Sequence, residues 1–508
     1  MMPAVDVTVA GAPLADTCRV VAVRVAARLS QPSQCELTLD DPDARALELL
    51  GAPLVLRVAG DDGPLFAGEV TGVDLVRGAD GETGTRIVAY DRLHRLRKRQ
   101  TLRCLERLDA AELAGVVCDG LGVTVRAEER GPRFERVVQH RRRDLELMTE
   151  TLERIGLYVA LDGDELRVLT LEGHGEPLAL RYGRNLHRVE VSASLERAAT
   201  TCAAMAWRPR TADVLTASVE HPRTGRDIAL RPRPATDGGA ATLTLVDESA
   251  ASGDELLAVA QGALDASVAR TVVLDAVAAG DAALRPGRRV RADGVAEALD
   301  GTYVLTEVVT TIDADGYLAA LSTRPPARRL PNAATSLSLG EVTDVADPDG
   351  CGRVRVALGA HGGLDLGWLA VLVPGAGSGR GLVVLPDVGD PVLVALPHDA
   401  TGGAVVLGGL YGTTPAPDRG GVSGGGVRRW SMRTAGGQSV VVDDERRSLR
   451  LQNAAGSYVE LTPDLLRLHA ETDLLLDAPG RGVTVRAASV DFDHSPVTVP
   501  IAIPGGSA

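Results

Sequence analysis

Apolar and polar residues alternate along most of this chain, which is the period expected of β-strands with one buried face. Between Val5 and about residue 100, strand-like runs are separated by Gly, Asp and Pro turns, and similar runs fill most of the sequence up to residue 330. We therefore predict a mainly β fold with a few helices. A Pro- and Arg-rich joint at residues 324–337 predicts a domain boundary near residue 330.

Three segments have a helical pattern instead. The first begins at Asp109, a predicted N-cap, with Glu112 three residues later as its capping-box partner. The second ends at Gly156, where a C-terminal glycine is expected. The third covers residues 253–270. The apolar positions that define one face of the second helix are Leu145, Met148, Leu152 and Ile155.

Residues 331–413 contain five or six short strand patterns, including the run GLVVLPDVGDPVLVALP, which is enough for one small closed barrel. A glycine-rich stretch at residues 414–437 predicts a flexible linker. The remaining domain, residues 438–508, again shows strand alternation.

Alternation in this last domain leaves one apolar face without a partner. A lone meander with a single apolar face is not stable in water, and three identical chains wound together would bury that face and remove the free strand edges. Each buried Val or Leu would then contribute about 1.5–3 kcal/mol. The predicted trimer-axis residues are Val440, Val442, Leu449, Leu451, Val459, Leu461, Leu466, Leu468, Val483 and Val485. Leu474–Leu476 fit either phase of the alternation.

Composition narrows the function further. A net charge of -14 disfavours binding to nucleic acid or to an anionic membrane. The six cysteines are scattered without CxxC spacing, so we expect free buried thiols in a reducing compartment. The sequence shows no signal-peptide pattern and no apolar run of about 18 residues. We expect synthesis and assembly in the cytoplasm, without a signal peptide.

Candidate chemistry is sparse. The arginine run at residues 92–103 favours a solvated face or a subunit contact over a nucleic-acid site. Asp491–Ser495 offers one histidine, His494, so that a metal at a threefold axis would rest on that residue alone, and a polar turn is favoured. No nucleophile-elbow, zinc-protease or phosphate-loop motif occurs. We predict no enzyme activity and no cofactor.

Two motifs resemble the VgrG and phage late-control hub family. Phe134–Leu169 reads FERVVQHRRRDLELMTETLERIGLYVALDGDELRVL and is similar to the strand-helix-hairpin unit of that family, through Arg143-Asp144-Leu145 and Gly156-Leu157-Tyr158. Gly389–Gly412 reads GDPVLVALPHDATGGAVVLGGLYG and resembles the end of its oligonucleotide/oligosaccharide-type barrel. Both motifs occur in the order and spacing of the family, so the resemblance covers essentially the whole chain.

The resemblance implies a homotrimeric spike at the tip of a contractile injection machine. Residues 1–330 would form a hub block of two similar β-barrels with helical insertions, so that three chains present six similar faces to a sixfold inner tube. Residues 331–413 would form the barrel, and residues 438–508 an intertwined β-helix spike and tip. Expected partners are the homotrimer, the inner tube, baseplate proteins and a PAAR-type tip protein, with effector cargo left open. Val497, Val499, Ile501 and Ile503 are expected either to close the tip of the prism among the three chains or to form the platform for the PAAR-type protein.

The class of machine stays open at this point. Compactness favours a phage-tail-like or extracellular injection particle that acts at a target cell envelope, and a type VI secretion spike is the alternative. A tail-associated cell-wall hydrolase would need an acid/base pair that the sequence does not show. A stand-alone carbohydrate-binding protein that uses the barrel would leave the last domain unexplained.

Overall fold

Strands dominate the computed structural model of the chain. It describes residues 4–14, 19–40, 44–77, 83–208, 213–232, 241–328, 335–397 and 403–492. The chain divides into two compact units, residues 1–410 and 411–508. None of the helices in the described ranges is both long and apolar enough to cross a membrane.

The first strands form an antiparallel sheet around an apolar core. They are β1 (Val5–Val9), β2 (Ala12–Pro13), β3 (Val20–Arg28), β4 (Gln34–Leu39), β5 (Pro53–Val58), β6 (Pro64–Arg77) and β7 (Thr83–Tyr90). Inward positions line up across the strands, with Val23 of β3 opposite Leu37 of β4, and Leu37 opposite Ile87 of β7. All three are buried. The alternation predicted for this region is confirmed.

Two helices then interrupt the strands. The elements are β8 (Arg103–Leu108), α1 (Ala110–Val117), β9 (Thr124–Ala127), β10 (Phe134–Gln139), α2 (Asp144–Arg154), β11 (Tyr158–Asp162) and β12 (Glu165–Leu169). The predicted capping box forms at the start of α1, because the Asp109 carboxylate accepts the Glu112 N–H at 2.9 Å and the Glu112 carboxylate accepts the Asp109 N–H at 2.9 Å. β11 and β12 form the hairpin predicted from the Asp162-Gly163-Asp164 turn.

A second set of strands joins the first edge to edge. Its strands are β13 (His174–Arg181), β14 (Leu186–Ala193), β15 (Thr201–Arg208), β16 (Asp213–Val219), β17 (Asp227–Ile228), β18 (Thr242–Leu245), β19 (Val272–Ala279), β20 (Arg288–Asp293), β21 (Gly301–Val304), β22 (Glu307–Asp313) and β23 (Gly316–Ser322). The helix α3 (Gly253–Ala269) lies between β18 and β19 in the chain. Pairing of β3 with β22 creates one continuous 11-stranded sheet, in the order β14-β19-β23-β22-β3-β4-β7-β6-β5-β1-β2. The ion pair between Arg28 and Glu307, 2.5 Å apart, lies on that seam.

Each strand set keeps its own core although the sheet is continuous. The first core lies beneath β1 and β3–β7. The second lies between β14, β19, β22 and β23 and a four-stranded sheet of order β13-β20-β21-β17. A third core packs the three helices against β15, and it includes Leu113, Met148 and Leu256. Residues 1–330 are therefore two strand sets sharing one sheet, with a helical layer.

A closed five-stranded barrel follows. Its strands are β24 (Ser336–Asp344), β25 (Val354–Leu358), β26 (Leu364–Val371), β27 (Pro391–Leu396) and β28 (Val405–Gly409). Val342, Val356, Leu366 and Val394 fill the interior. The first part of the predicted run, GLVVLP, forms no strand. Residues 382–388 lie outside the ladder, because the barrel closes through β27 pairing with β24 and β28.

The second unit is a meander. Its strands are β29 (Val422–Ser423), β30 (Gly426–Val427), β31 (Arg429–Arg433), β32 (Ser439–Asp443), β33 (Ser448–Gln452), β34 (Tyr458–Leu461) and β35 (Leu466–His469). β31–β35 form one antiparallel sheet in chain order. Three of these strands lie inside the segment predicted as a glycine-rich linker, residues 414–437, because Trp430 and Met432 alternate in register with β32 despite the surrounding glycines. Residues 470–492 form no strand in the chain.

Candidate functional site

The sheet β31–β35 collects apolar side chains in two cross-strand rows on one face. Strand register fixes these rows, because side chains directly opposite each other point to the same side of a sheet. The first row is Trp430, Val442, Leu449, Leu461 and Leu466, and the second is Met432, Val440, Leu451, Val459 and Leu468. We call these ten side chains the apolar face.

Much of the apolar face is open to water in the single chain. Trp430 is 74% exposed, Leu466 61% and Leu468 55%, and even Leu449 near the middle of the sheet is 37% exposed. Contiguous apolar surface of this kind on a soluble protein marks an interaction site. The face is therefore the strongest candidate for an interface in this unit.

Tight turns hold the rows in register. Gly437 and Gly456 adopt positive φ angles of 85° and 102°, and Arg447 adopts 52°, each in a connection between neighbouring strands. Gly437 suits its turn because a left-handed φ is strained for residues with a Cβ atom. A slip of one residue would move the apolar rows to the opposite face, so these turns specify which face is apolar.

The opposite face carries mainly charged and polar side chains, with Val441 among them, and most of the charged ones pair within the chain. Arg450 pairs with Glu460 at 3.5 Å, and its guanidinium lies 3.9 Å from the centre of the Tyr458 ring. His469 packs against the same ring and its Nε2 lies 2.9 Å from a Glu471 carboxylate oxygen. These groups are suited to contact with water, so the two faces of the sheet have different chemistry.

The structure brings most of the predicted trimer-axis residues together. Eight of the ten lie on the apolar face, whereas Val483 and Val485 are 62% and 68% exposed and lie outside the strands of the described chain. Their position at a trimer axis stays a prediction. Val497, Val499, Ile501, Ile503 and His494 lie outside the described residues. Sequence reasoning missed Trp430 and Met432, although their spacing of two carried the signal.

The Arg143-Asp144-Leu145 motif has a structural explanation. Asp144 is 1% exposed, and its carboxylate accepts hydrogen bonds from Arg99 at 2.9 Å, Arg103 at 3.2 Å and Gln139 at 2.8 Å. These partners come from the chain before β8, from β8 and from β10. One buried carboxylate at the start of α2 thus ties three elements together.

The glycine of Gly156-Leu157-Tyr158 is also explained by packing. Gly156 has a φ of 75°, and a Cβ atom there would lie 2.6 Å from the Cα of Gly262 in α3. The end of α2 and the middle of α3 therefore meet backbone to backbone.

The arginine run at residues 92–103 is used within the chain. Arg92 pairs with Asp164 at 2.7 Å, Arg95 pairs with Glu69, and Arg99 and Arg103 share Asp144. These arginines therefore stabilise the fold by intramolecular ion pairs.

Cysteines and metal ligands add no site in the part of the chain that the structure describes. Cys35, Cys104, Cys118, Cys202 and Cys351 are free. Burial raises the pKa of the Cys118 thiol to about 12, which keeps it unreactive. Cys351 is exposed, contrary to the expectation that all the thiols are buried. No group of three or more His, Cys, Asp and Glu side chains in the described ranges could hold a metal ion.

Fold and site define a class of protein: a two-core β block with a helical layer, a closed barrel and a sheet with an unpaired apolar face. Residues 26–316 match the model of the phage tail baseplate hub (GPD) family, and residues 338–411 match that of the type VI secretion system/phage-baseplate injector OB domain. The chain belongs to the phage tail baseplate hub family.

Two solved structures show the same fold at low sequence identity. The E. coli c3393 protein, described as a component of the type VI secretion system similar to the phage T4 tail proteins gp27 and gp5, is 14% identical with a TM-score of 0.54, over 80% of this chain and 99% of its own. A chain of the Francisella PdpA-VgrG complex in its lidded form is 9% identical with a TM-score of 0.54, over 92% of this chain and 79% of its own. A comparison with curated proteins finds no match.

Proposed function

We propose that the chain is a homotrimeric spike and hub that docks on the inner tube of a contractile injection system and punctures the envelope of a target cell. The observation that carries this proposal is the apolar face. Its ten side chains need a cover of the same shape and chemistry, and a second and third copy of the same strip supply one.

The energetics favour closure by identical chains. About half of the surface of a typical leucine on this face is still exposed, as for Leu451 at 46% and Leu468 at 55%. Burying the rest contributes about 1 kcal/mol for each side chain, and ten positions in each of three chains multiply this gain. Closure also pairs or covers the outer edges of β31 and β35, which would otherwise recruit other strands.

Mechanical function follows from such an assembly. A narrow prism of intertwined strands has few mobile loops, and it would carry force from a contracting sheath to a small area of envelope. The N-terminal block would provide the contact with the tube, since its two strand sets could present two related surfaces per chain. Baseplate proteins and a PAAR-type tip protein would be the other partners.

The proposed role requires no catalysis, and no cofactor is assigned. Assembly would take place in the cytoplasm and action at the target envelope. A type VI secretion spike is the alternative machine, and the matched OB-domain model is described for both kinds of system.

The native mass of the purified full-length chain tests the proposal. We expect a mass three times that of one chain by light scattering, resistant to mild detergent, because strands wound around each other separate slowly. A monomer at micromolar concentration would exclude the spike architecture. A second measurement, sedimentation of the trimer with purified inner tube, tests docking separately.

A further inference from the structure

A cavity of about 550 Å³ lies between the segment that leads into α3 and the outer surface of the barrel. Two of the three tryptophans in the chain, Trp207 and Trp368, line it. This volume is within the range of small-molecule sites. The cavity lies wholly within the first unit, residues 1–410.

Neither tryptophan belongs to an apolar core. Trp207 lies near the end of β15, where Ala204 and Ala206 point into the helical core and the alternate position of Trp207 points outward, leaving it 51% exposed. Trp368 is in β26, next to the core residue Leu369, and is half-buried on the outside of the barrel. Two broad aromatic surfaces therefore flank one space.

A buried carboxylate in the same cavity has an unused acceptor. Glu248 is 7% exposed, and one of its oxygens accepts a hydrogen bond from Arg328 at 3.0 Å. Its other oxygen, Oε2, is buried without a hydrogen-bond partner among the described residues. The Glu248 N–H donates to the Met205 carbonyl at 2.9 Å, and Asp247 before it adopts a left-handed φ of 56°, so the backbone fixes this carboxylate beside β15.

An unpaired buried oxygen costs on the order of 1–3 kcal/mol, which a ligand that donates a hydrogen bond would recover. Arg328 already balances the negative charge of Glu248. A neutral hydrogen-bond donor therefore suits Oε2 better than a second cation does. Ser249, Ser252 and Thr335 add further polar groups to the lining.

Most charged residues in the lining are paired inside the protein. Arg136, Arg208, Arg353 and Glu255 form ion pairs with Glu106, Asp213, Asp347 and Arg154, respectively. Glu135 adds an exposed carboxylate to the lining. An anionic ligand would therefore gain little from this cavity. The cavity thus offers two aromatic side chains, a carboxylate oxygen that can accept a hydrogen bond from a neutral donor, and mostly paired charges. These features suit a molecule that has both apolar C–H faces and hydroxyl groups.

We propose that this cavity binds a saccharide, roughly a di- or trisaccharide by its volume. Sugar rings would pack against Trp207 and Trp368, and a rotation of the Glu248 side chain, whose Oε2 is covered in the empty cavity, would bring that oxygen within reach of a hydroxyl group. This binding does not depend on trimer formation or on the apolar face. It would give the particle a contact with glycans in addition to its mechanical role.

Isothermal titration calorimetry and tryptophan fluorescence of the full-length chain test the proposal with maltotriose, cellotriose and N,N′,N″-triacetylchitotriose. In calorimetry at least one of them should bind at one site per chain. The same saccharide should shift the tryptophan emission to shorter wavelength. We expect Trp207→Ala and Glu248→Gln each to weaken that binding by at least tenfold. Trp207→Phe, which keeps an aromatic face, should retain more of the affinity.

The matched control is Glu196→Gln, which removes an exposed carboxylate that is 80% accessible and outside the cavity lining. It should bind as the unmodified chain does. Thermal unfolding of each variant checks that a loss of binding is not a loss of fold. No binding of any of the three saccharides would overturn the proposal, as would binding that is unchanged in Trp207→Ala. If N-acetyl-argininamide bound and the saccharides did not, the cavity would be a site for basic peptides, and the saccharide proposal would likewise be overturned.

Discussion

Two leucines on the apolar face allow the proposed trimer to be tested at the level of single side chains. Leu461 and Leu468 lie in different rows on neighbouring strands, and they are 41% and 55% exposed in the single chain. Changing both to aspartate leaves the backbone and the turns intact. In the single chain the new carboxylates would face water, so the monomer should still fold.

The expected effect on assembly is large. Burying the exposed half of each leucine contributes about 1 kcal/mol, so two positions in three chains represent about 6 kcal/mol. Burying a carboxylate adds an effective penalty of several kcal/mol for each ion. Since about 1.4 kcal/mol corresponds to a factor of ten, the double variant should weaken the assembly constant by more than about 10⁴-fold.

Sedimentation velocity at micromolar concentration measures this change, and we expect a monomer for Leu461→Asp with Leu468→Asp. The control is Ser431→Asp, which introduces one carboxylate on the opposite face of β31, in the row with Val441, Arg450 and Glu460. It should remain trimeric. A trimer of undiminished stability in the double variant would refute the assignment of this face to the axis.

Three further predictions concern the N-terminal block. Asp144→Ala should lower the free energy of unfolding by about 2–3 kcal/mol in a denaturant titration, because it leaves the buried Gln139 and the half-buried Arg99 and Arg103 without their acceptor; a loss below 1 kcal/mol would show that the network is dispensable. Gly156→Ala should lower the free energy of unfolding by more than about 2 kcal/mol, because its Cβ would lie 2.6 Å from Gly262. The control Gly163→Ala, at a φ of 59° with open space around it, should lower it by about 1 kcal/mol. Equal losses in the two variants would contradict the close contact. Burial, and to a smaller extent nearby arginines, lowers the pKa of His174 from 6.5 to about 4. The unfolded state therefore binds the proton first, and stability should fall as the pH drops from about 6.5 towards 4. His174→Gln should reduce this dependence of the unfolding temperature on pH, and an unchanged dependence would rule out His174 as its source.

Local patterns predicted the local structure well. The capping box at Asp109 involves residues three positions apart, and the strand alternation that identified Leu449 and Leu461 involves positions two apart, so both are visible in a short window. Trp430 was missed because the glycines around it outweighed its own alternation with Met432. Composition describes a whole window, whereas strand pairing depends on a few positions within it.

Long-range pairing could not be predicted from the same patterns. The continuous sheet depends on the pairing of β3 with β22, which places Arg28 opposite Glu307, and neither sequence segment specifies its partner. The proposed saccharide cavity likewise depends on Trp207, Glu248 and Trp368, which come from separate elements. The whole run GLVVLPDVGDPVLVALP was predicted as strand, but only its second part pairs, as β27, with β24 and β28.

The unformed strand contributes to the argument for self-association. Leu382, Val383, Val384 and Val388 are 42%, 79%, 60% and 56% exposed, so the barrel carries a second run of apolar residues without a partner. Exposed hydrophobic residues scattered singly need no explanation, but consecutive ones do. Two separate apolar surfaces thus lie in the part of the sequence after residue 380, one on the barrel and one on the sheet β31–β35. A chain that acted alone would gain nothing from either, whereas association of identical chains would bury apolar surface in each unit.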